Sequence, residues 1–430
     1  MKFAFLKDKI TPEGSVMQCG FSARTHKSVG IHDDTYASVV LMQANETITI
    51  IALDVCLGDR YFADSLKGAL NEKYGLTPEK IIINYSHTHA AVALRGENKD
   101  GKTDPEGVKY INSVIDKVIK MVGEGLNNLV AGDLYIFKGK SKFGVSRRFP
   151  SDEGILWRPY FDDNSIDMDL FLLKFVDSKG NLVGLIYNYA CHPTTLGSDN
   201  YLISADYPGV VRKTLEERNK GMTTVFLQGC GADIKPSATA DNNNGRFKSC
   251  NFDELEKAGI SFADEIEKCL QSENWRKIEA DFNATETEVK LYSEIWDDDK
   301  WNAMLNDPNE AAYRKRAIER ILEGKKENKV KNYFPYYISV LRLDDKTCIA
   351  ALENEVVSDY GKAIKGLFKE DVITLGYSNS IVCYIPTKKV LIEGGYERET
   401  FLNAGIAGVF VPEIEDIIIG RTALMINSKG

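Results

Sequence analysis

The chain has 430 residues, 43% of them hydrophobic and 27% charged, with a formal charge of −9. That is length enough for one large core or two smaller ones, in the proportions of an ordinary folded protein. The acidic balance argues against nucleic acid or an anionic membrane surface as the main partner, because such binders carry clustered Lys and Arg, and it leaves room for local basic patches such as Lys138 to Lys142 with Arg147 and Arg148.

The opening run, Met1-Lys2-Phe3-Ala4-Phe5-Leu6-Lys7, is too short and too soon charged for a secretory signal. No apolar run approaches the roughly 18 residues of a transmembrane helix. Eight cysteines without CxxC spacing read as reduced, buried thiols, so the expected location is the cytoplasm.

In chain order, β-rich segments are predicted at residues 36–43 and 47–54, preceded by Gly30-Ile31-His32-Asp33-Asp34. That acidic stretch reads either as the lining of a pocket or as a solvated turn. Phe62, Leu66 and Leu70 at four-residue spacing predict a helix over 61–76, and Ile81-Ile82-Ile83 predicts a buried strand over 80–85. A second helix is expected over 104–126, with Pro105 at its start. Residues 133–145 are strand-like and lead into Arg147 and Arg148. Strands over 170–176 and 182–190 form a hairpin around Ser178-Lys179-Gly180.

Next come a helix at 204–218, a strand at 223–228, an amphipathic helix at 252–272 and a strand at 280–292. A charged surface helix is expected at about 308–326, within a helical excursion at about 297–330. The last third is β-rich, with strands at 336–343, 347–354 and 372–376 and a helix at 359–368. With no repeat and no linker, residues 1–430 read as a single α/β domain with an inserted helical segment.

The chain has five histidines, and two of them, His87 and His89, close the 80–85 strand. Alternation along a strand puts both on one side, as a metal site or an acid/base pair requires, although exposed loop histidines would look the same. Polar residues end other apolar strands as well: His192, Asp233, Glu353 and Glu355. Rigid α/β sheets assemble sites at such strand ends. Two or three histidines with one carboxylate match the ligands of a catalytic zinc that keeps a position for water. Asp233 reads either as a carboxylate orienting a ligand histidine or as a helix cap.

Four segments go further: Ser86-His87-Thr88-His89, Ala190-Cys191-His192-Pro193-Thr194, Gly229 through Pro236, and the tract from Cys383-Tyr384-Ile385-Pro386-Thr387 to Gly395-Tyr396-Glu397. Their order resembles that of the neutral/alkaline non-lysosomal ceramidases, from the Gly-rich opening to about residue 400. The resemblance implies mixed β-sheets flanked by helices and hydrolysis of an N-acylsphingosine amide with one zinc ion. It implies that His87, His192, Glu355 and Tyr384 hold the metal, with Glu353 the alternative carboxylate. His89 and Arg148 would assist catalysis, beside Tyr396 as a second active-site tyrosine; Arg147, adjoining Arg148, is open to the same role.

Departures from the family pattern are Ala90-Ala91-Val92-Ala93 after the histidines, Asn354 before Glu355, and Ser146-Arg147 before Arg148. The chain ends near residue 430, which predicts no C-terminal immunoglobulin-like domain. The metal site therefore carries over more directly than the substrate, a small-molecule or lipid-like linear amide. Other readings are a non-catalytic ligand-binding protein that retains the fold and a metal-dependent hydrolase of an ester.

Overall fold

The computed structural model describes residues 1–96, 104–241 and 243–428. Runs of β-branched and aromatic residues supply thirteen strands of one mixed sheet: β1 (Lys2–Lys9), β2 (Tyr36–Gln43), β3 (Thr47–Leu53), β4 (Ile81–Tyr85), β5 (Val130–Lys140), β6 (Asp169–Asp177), β7 (Leu182–Tyr189), β8 (Thr223–Gln228), β9 (Arg276–Ile278), β10 (Asn283–Tyr292), β11 (Tyr333–Asp344), β12 (Thr347–Glu353) and β13 (Asp371–Ser378). The spatial order is β8-β7-β6-β5-β1-β2-β3-β4-β13-β12-β11-β10, with β9 beside β5. Three pairs are parallel, β7 with β8, β3 with β4, and β12 with β13.

The sheet folds back on itself. Asn84 in β4 donates to the Gln228 carbonyl of β8 at 3.3 Å and accepts from the Gln228 amide at 2.8 Å, although the two strands are far apart in the sheet order. The enclosed face buries Ile50 and Ile82 against Phe171, Ile186, Leu227, Leu341 and Ile373. Helices cover the outer faces. Over β1–β4 lie α1 (Arg60–Tyr74) and α2 (Pro105–Asn127), whose Ile111, Val114, Ile115, Val118 and Val122 recur at helical spacing. Over β6–β8 lie α3 (Asp206–Arg218) and α4 (Phe252–Leu270), the latter started by a reciprocal Asn251–Glu254 cap.

A small antiparallel sheet of Gly144–Ser151, Gly154–Tyr160 and Ile234–Pro236 sits beside the large one. The expected strand at 133–145 therefore stops at Lys140. The Phe143 amide bonds the Ser141 hydroxyl at 3.1 Å, and the chain turns into this second sheet, which carries both arginines.

The charged helix expected at about 308–326 is preceded by a second one: Asp298–Asn306 and Ala312–Lys326 are separated at Asp307-Pro308, where proline removes a backbone donor. Trp301, Ile318 and Ile321 are buried in the core, so the pair covers the β10–β12 face instead of standing off the surface. Strand β1 and a helix at Ile414–Asn427 have no counterpart in the sequence reading. The alternation of β1 is blurred by its charged residues, and the helix is apolar on most sides.

Candidate metal centre

Strand β4 ends at Tyr85, and His87 then adopts the left-handed conformation, with φ +65°. Its Nδ1 lies 2.5 Å from the Cys56 carbonyl oxygen. A carbonyl only accepts, so Nδ1 carries the proton and the Nε2 lone pair turns inward. His192, just past β7, is held the same way, with Nδ1 2.7 Å from the Gly231 carbonyl. Both Nε2 atoms then face one carboxylate oxygen, Glu355 Oε2, at 3.2 Å each, and the Tyr384 hydroxyl lies 3.4 Å from His192 Nε2.

Two lone pairs and a carboxylate oxygen at this separation repel unless a proton or a cation stands between them. The ligand atoms of His87, His192 and Glu355 lie within 4.8 Å of one another, and this nitrogen and oxygen donor set suits zinc. Burial opposes ionisation of Glu355, but the charge and hydrogen bonds of His87 and His192, once a proton sits on Nε2, outweigh it and hold the carboxyl well below its usual range. Burial pushes the His192 imidazolium down to about 4, which leaves a neutral imidazole near pH 7.

His89 completes the cluster, its Nε2 3.0 Å from His87 Nε2. Burial, then the neighbouring His87 and His192, keep its pKa well below the ordinary value, so the ring is neutral. Its Nδ1 is buried without a hydrogen-bond partner. Phe21 packs edge-on at 4.7 Å, and Gly20 makes the space: a Cβ there would lie 2.3 Å from the imidazole Cγ. Cys56, His87 and His89 form a second group of similar size. Burial and the Cys19 side chain hold the Cys56 thiol protonated, so the group containing Glu355 is the one that already carries an anionic donor.

The two arginines diverge, as adjacent strand residues must. Arg148, also buried, is committed to Glu397, Glu393 and the Gly394 carbonyl and makes no contact with the histidines. Arg147 turns toward the cluster, with its guanidinium 5.3 Å from the Tyr384 ring, 5.6 Å from the Tyr396 ring and 4.1 Å from Trp157. Glu397 anchors it at 2.8 Å, and its Nη2 is buried without a partner. Tyr396 stands at the rim, 44% exposed, with its ring 5.4 Å from that of Tyr384.

The carboxylates separate too. Glu353 points away, to Arg60 and the Tyr337 amide, because Asn354 between it and Glu355 is left-handed, with φ +68°. A regular strand would have placed both acids on one face, as the sequence suggested.

The family profile "neutral/alkaline non-lysosomal ceramidase, N-terminal" matches residues 7–263. The chain belongs to that family. The neutral ceramidase of Pseudomonas aeruginosa is 26% identical over 272 residues, covering 60% of this chain and 40% of that protein. A neutral ceramidase of Oryza sativa subsp. japonica is 24% identical over 215 residues, covering 48% of this chain and 27% of that one. The chain thus spans well under half the length of these curated relatives. The crystal structure of the Pseudomonas aeruginosa enzyme matches with a TM-score of 0.76 at 17% identity, over 99% of this chain and 74% of that one. A ceramidase complexed with C2 matches with a TM-score of 0.74 at 16% identity, with the same coverage. At these identities the structural likeness establishes the ceramidase fold.

Within that fold, His87, His89, His192, Glu355 and Tyr384 are brought together, Tyr396 stands at the edge, and Arg148 is turned away. Asp233 accepts from the Ser358 amide at 2.7 Å and its hydroxyl at 2.9 Å, which caps the helix Ser358–Gly366. Asp33 accepts from the Ala205 amide at 2.8 Å, and Asp34 pairs with Lys9 at 2.7 Å, so the early acidic stretch is a structural turn.

Sequence reading missed Tyr377, whose hydroxyl lies 3.5 Å from both His192 nitrogens and whose ring lies 4.6 Å from His87. Its position at the end of β13 was the available signal. Residues with positive φ gather here: His87, Asn354, Tyr377 and Asn379 are four of the six non-glycine cases among the described residues. Such strain concentrates at functional sites.

Proposed function

We propose that this protein is a zinc-dependent hydrolase of a linear N-acyl amide. The observation that supports it most is the convergence of His87 Nε2 and His192 Nε2 on Glu355 Oε2, with each imidazole fixed by a backbone carbonyl behind it. His87, His192, Glu355 and Tyr384 would hold the ion. Zinc held there would supply polarisation of an amide carbonyl and a water whose pKa is lowered to roughly 7.

His89, neutral and unliganded, takes the proton from the attacking water and returns it to the leaving amine. Arg147, with a free buried N–H, and Tyr396 donate to the oxygen that gains charge, where each fixed donor is worth a few kcal/mol. This gives Arg147 the role that the sequence suggested for Arg148. All eight cysteines are free, which supports the reducing cytoplasm as the setting. No helix among the described residues is long and apolar enough to cross a membrane.

The test is metal analysis of purified protein together with a panel of N-acyl amides, from short to lipid-length. About one zinc per chain and hydrolysis that a chelator abolishes are expected. Full activity in a metal-free preparation would end the proposal.

A further inference from the structure

Buried cations in this protein come with partners. Lys67 pairs with Glu286, Arg147 and Arg148 with Glu397, and Arg212 with Asp54, while Arg24 donates to the carbonyl oxygens of Cys19, His89, Gly197 and Asn200. Lys235 is 8% exposed and, like Arg24, has no carboxylate partner among the described residues, but where four carbonyl oxygens surround the Arg24 guanidinium, one threonine serves the Lys235 ammonium. Its ammonium reaches Thr194, at 2.9 Å to the hydroxyl and 3.4 Å to the carbonyl, and the Phe247 ring at 5.4 Å; all three are neutral. A desolvated ammonium without a counterion costs several kcal/mol, so an anion brought to it recovers that cost.

The topology puts this charge beside the metal centre. In the small sheet Lys235 stands directly opposite Val145, so its side chain shares a face with Val145 and, two residues on, with Arg147. The carbonyl of Ile234, the residue before it, accepts from the His192 amide at 3.1 Å, and Thr194 follows His192 by two residues. Burial, then the Arg147 charge, push Lys235 down to about 8, and it is still protonated near neutrality. Arg147 and Lys235 thus place two positive charges on one face next to the proposed zinc ligands, and one of them has no counterion.

Building on the hydrolase reading above, we propose that Lys235 receives a carboxylate of the substrate, so that the preferred amides are N-acyl amino acids and related acidic N-acyl compounds rather than uncharged lipid amides. Hydrolysis of such a compound adds one water across the C–N bond and yields a carboxylic acid and an amino acid. The carboxylate does not react; its pairing with Lys235 positions the amide.

The experiment compares N-hexanoylglycine with N-hexanoylethanolamine, which differ in carboxylate against hydroxymethyl, using the zinc-loaded full chain. The wild type is expected to favour the glycine amide in kcat/KM. Lys235→Gln should lose about 30-fold or more on it, mainly through KM, and change less than about twofold on the ethanolamide. Lys235→Arg, which keeps the charge, should recover part of the loss. Equal wild-type rates on the two amides, or equal losses on both in Lys235→Gln, would overturn the assignment.

Titration calorimetry with the same two compounds separates this from the hydrolase reading. If neither amide is cleaved, that reading fails. Tighter binding of the acylglycine that Lys235→Gln abolishes would still uphold the subsite, and equal binding would refute it.

Discussion

Glu353 ends a strand facing Arg60, while Glu355, two residues on, faces His87 and His192. Burial pushes Glu353 up to about 7, with Arg60 offsetting part of the rise. Glu355 meets the same penalty and is nevertheless held far below its ordinary pKa by the two histidines. The same side chain thus serves as a structural partner on one side of the strand and as an anionic donor on the other. One left-handed residue, Asn354, separates the two roles. Its amide oxygen accepts from the Val382 amide at 2.7 Å, which ties the bend to the segment that carries Tyr384. A local backbone reversal therefore decides which acid faces the cluster.

The largest expected effect separates these acids directly. Glu355→Gln should lower zinc content, read by elemental analysis, from about one per chain to a small fraction and abolish hydrolysis, whereas Glu353→Gln keeps its metal. The opposite pattern would reassign the ligand. Next is His89→Ala, in which zinc stays bound while kcat falls about 10²- to 10⁴-fold; loss of the metal would instead make His89 a ligand.

The third effect concerns stability. A carboxyl with a higher pKa in the fold than in the unfolded chain binds its proton more tightly when folded. Its contribution is full below the unfolded value of 4.5 and is lost as pH rises through about 7. Urea unfolding should show the wild type losing about 3 kcal/mol relative to Glu353→Gln between pH 4.5 and 8. A pH-independent difference would place the ionised Glu353–Arg60 pair at no disadvantage. The smallest effect is expected for Tyr377→Phe. It removes one hydroxyl beside His192 and should cost about fivefold or less in kcat/KM, with zinc retained; a loss comparable to His89→Ala would give Tyr377 a direct part in the chemistry.

The strands and helices with strong periodicity were legible from the chain. Ile81-Ile82-Ile83 and 223–228 are strands where the pattern placed them, and α2 and α4 begin within a residue or so of the expected starts. The misreadings have local causes: a turn at Ser141 diverts one strand into a second sheet, and Pro308 separates two charged helices. At the centre, His87, His89, His192, Glu355 and Tyr384 were nameable from strand ends and motif order. The pairing of His87 with His89 arises from a left-handed bend at His87, which strand alternation does not describe.

What the sequence by itself determined is which residue types stand at the ends of which apolar strands, since burial and alternation follow from composition over a few neighbours. The tertiary structure decided which of two adjacent arginines and which of two nearby glutamates turn toward the histidines. Those choices depend on strand register and on single positive-φ residues, set by hydrogen bonds to segments tens to hundreds of residues away. The lack of a carboxylate beside Lys235 is likewise a property of the folded state, because a missing counterion becomes visible only once every neighbour is in place.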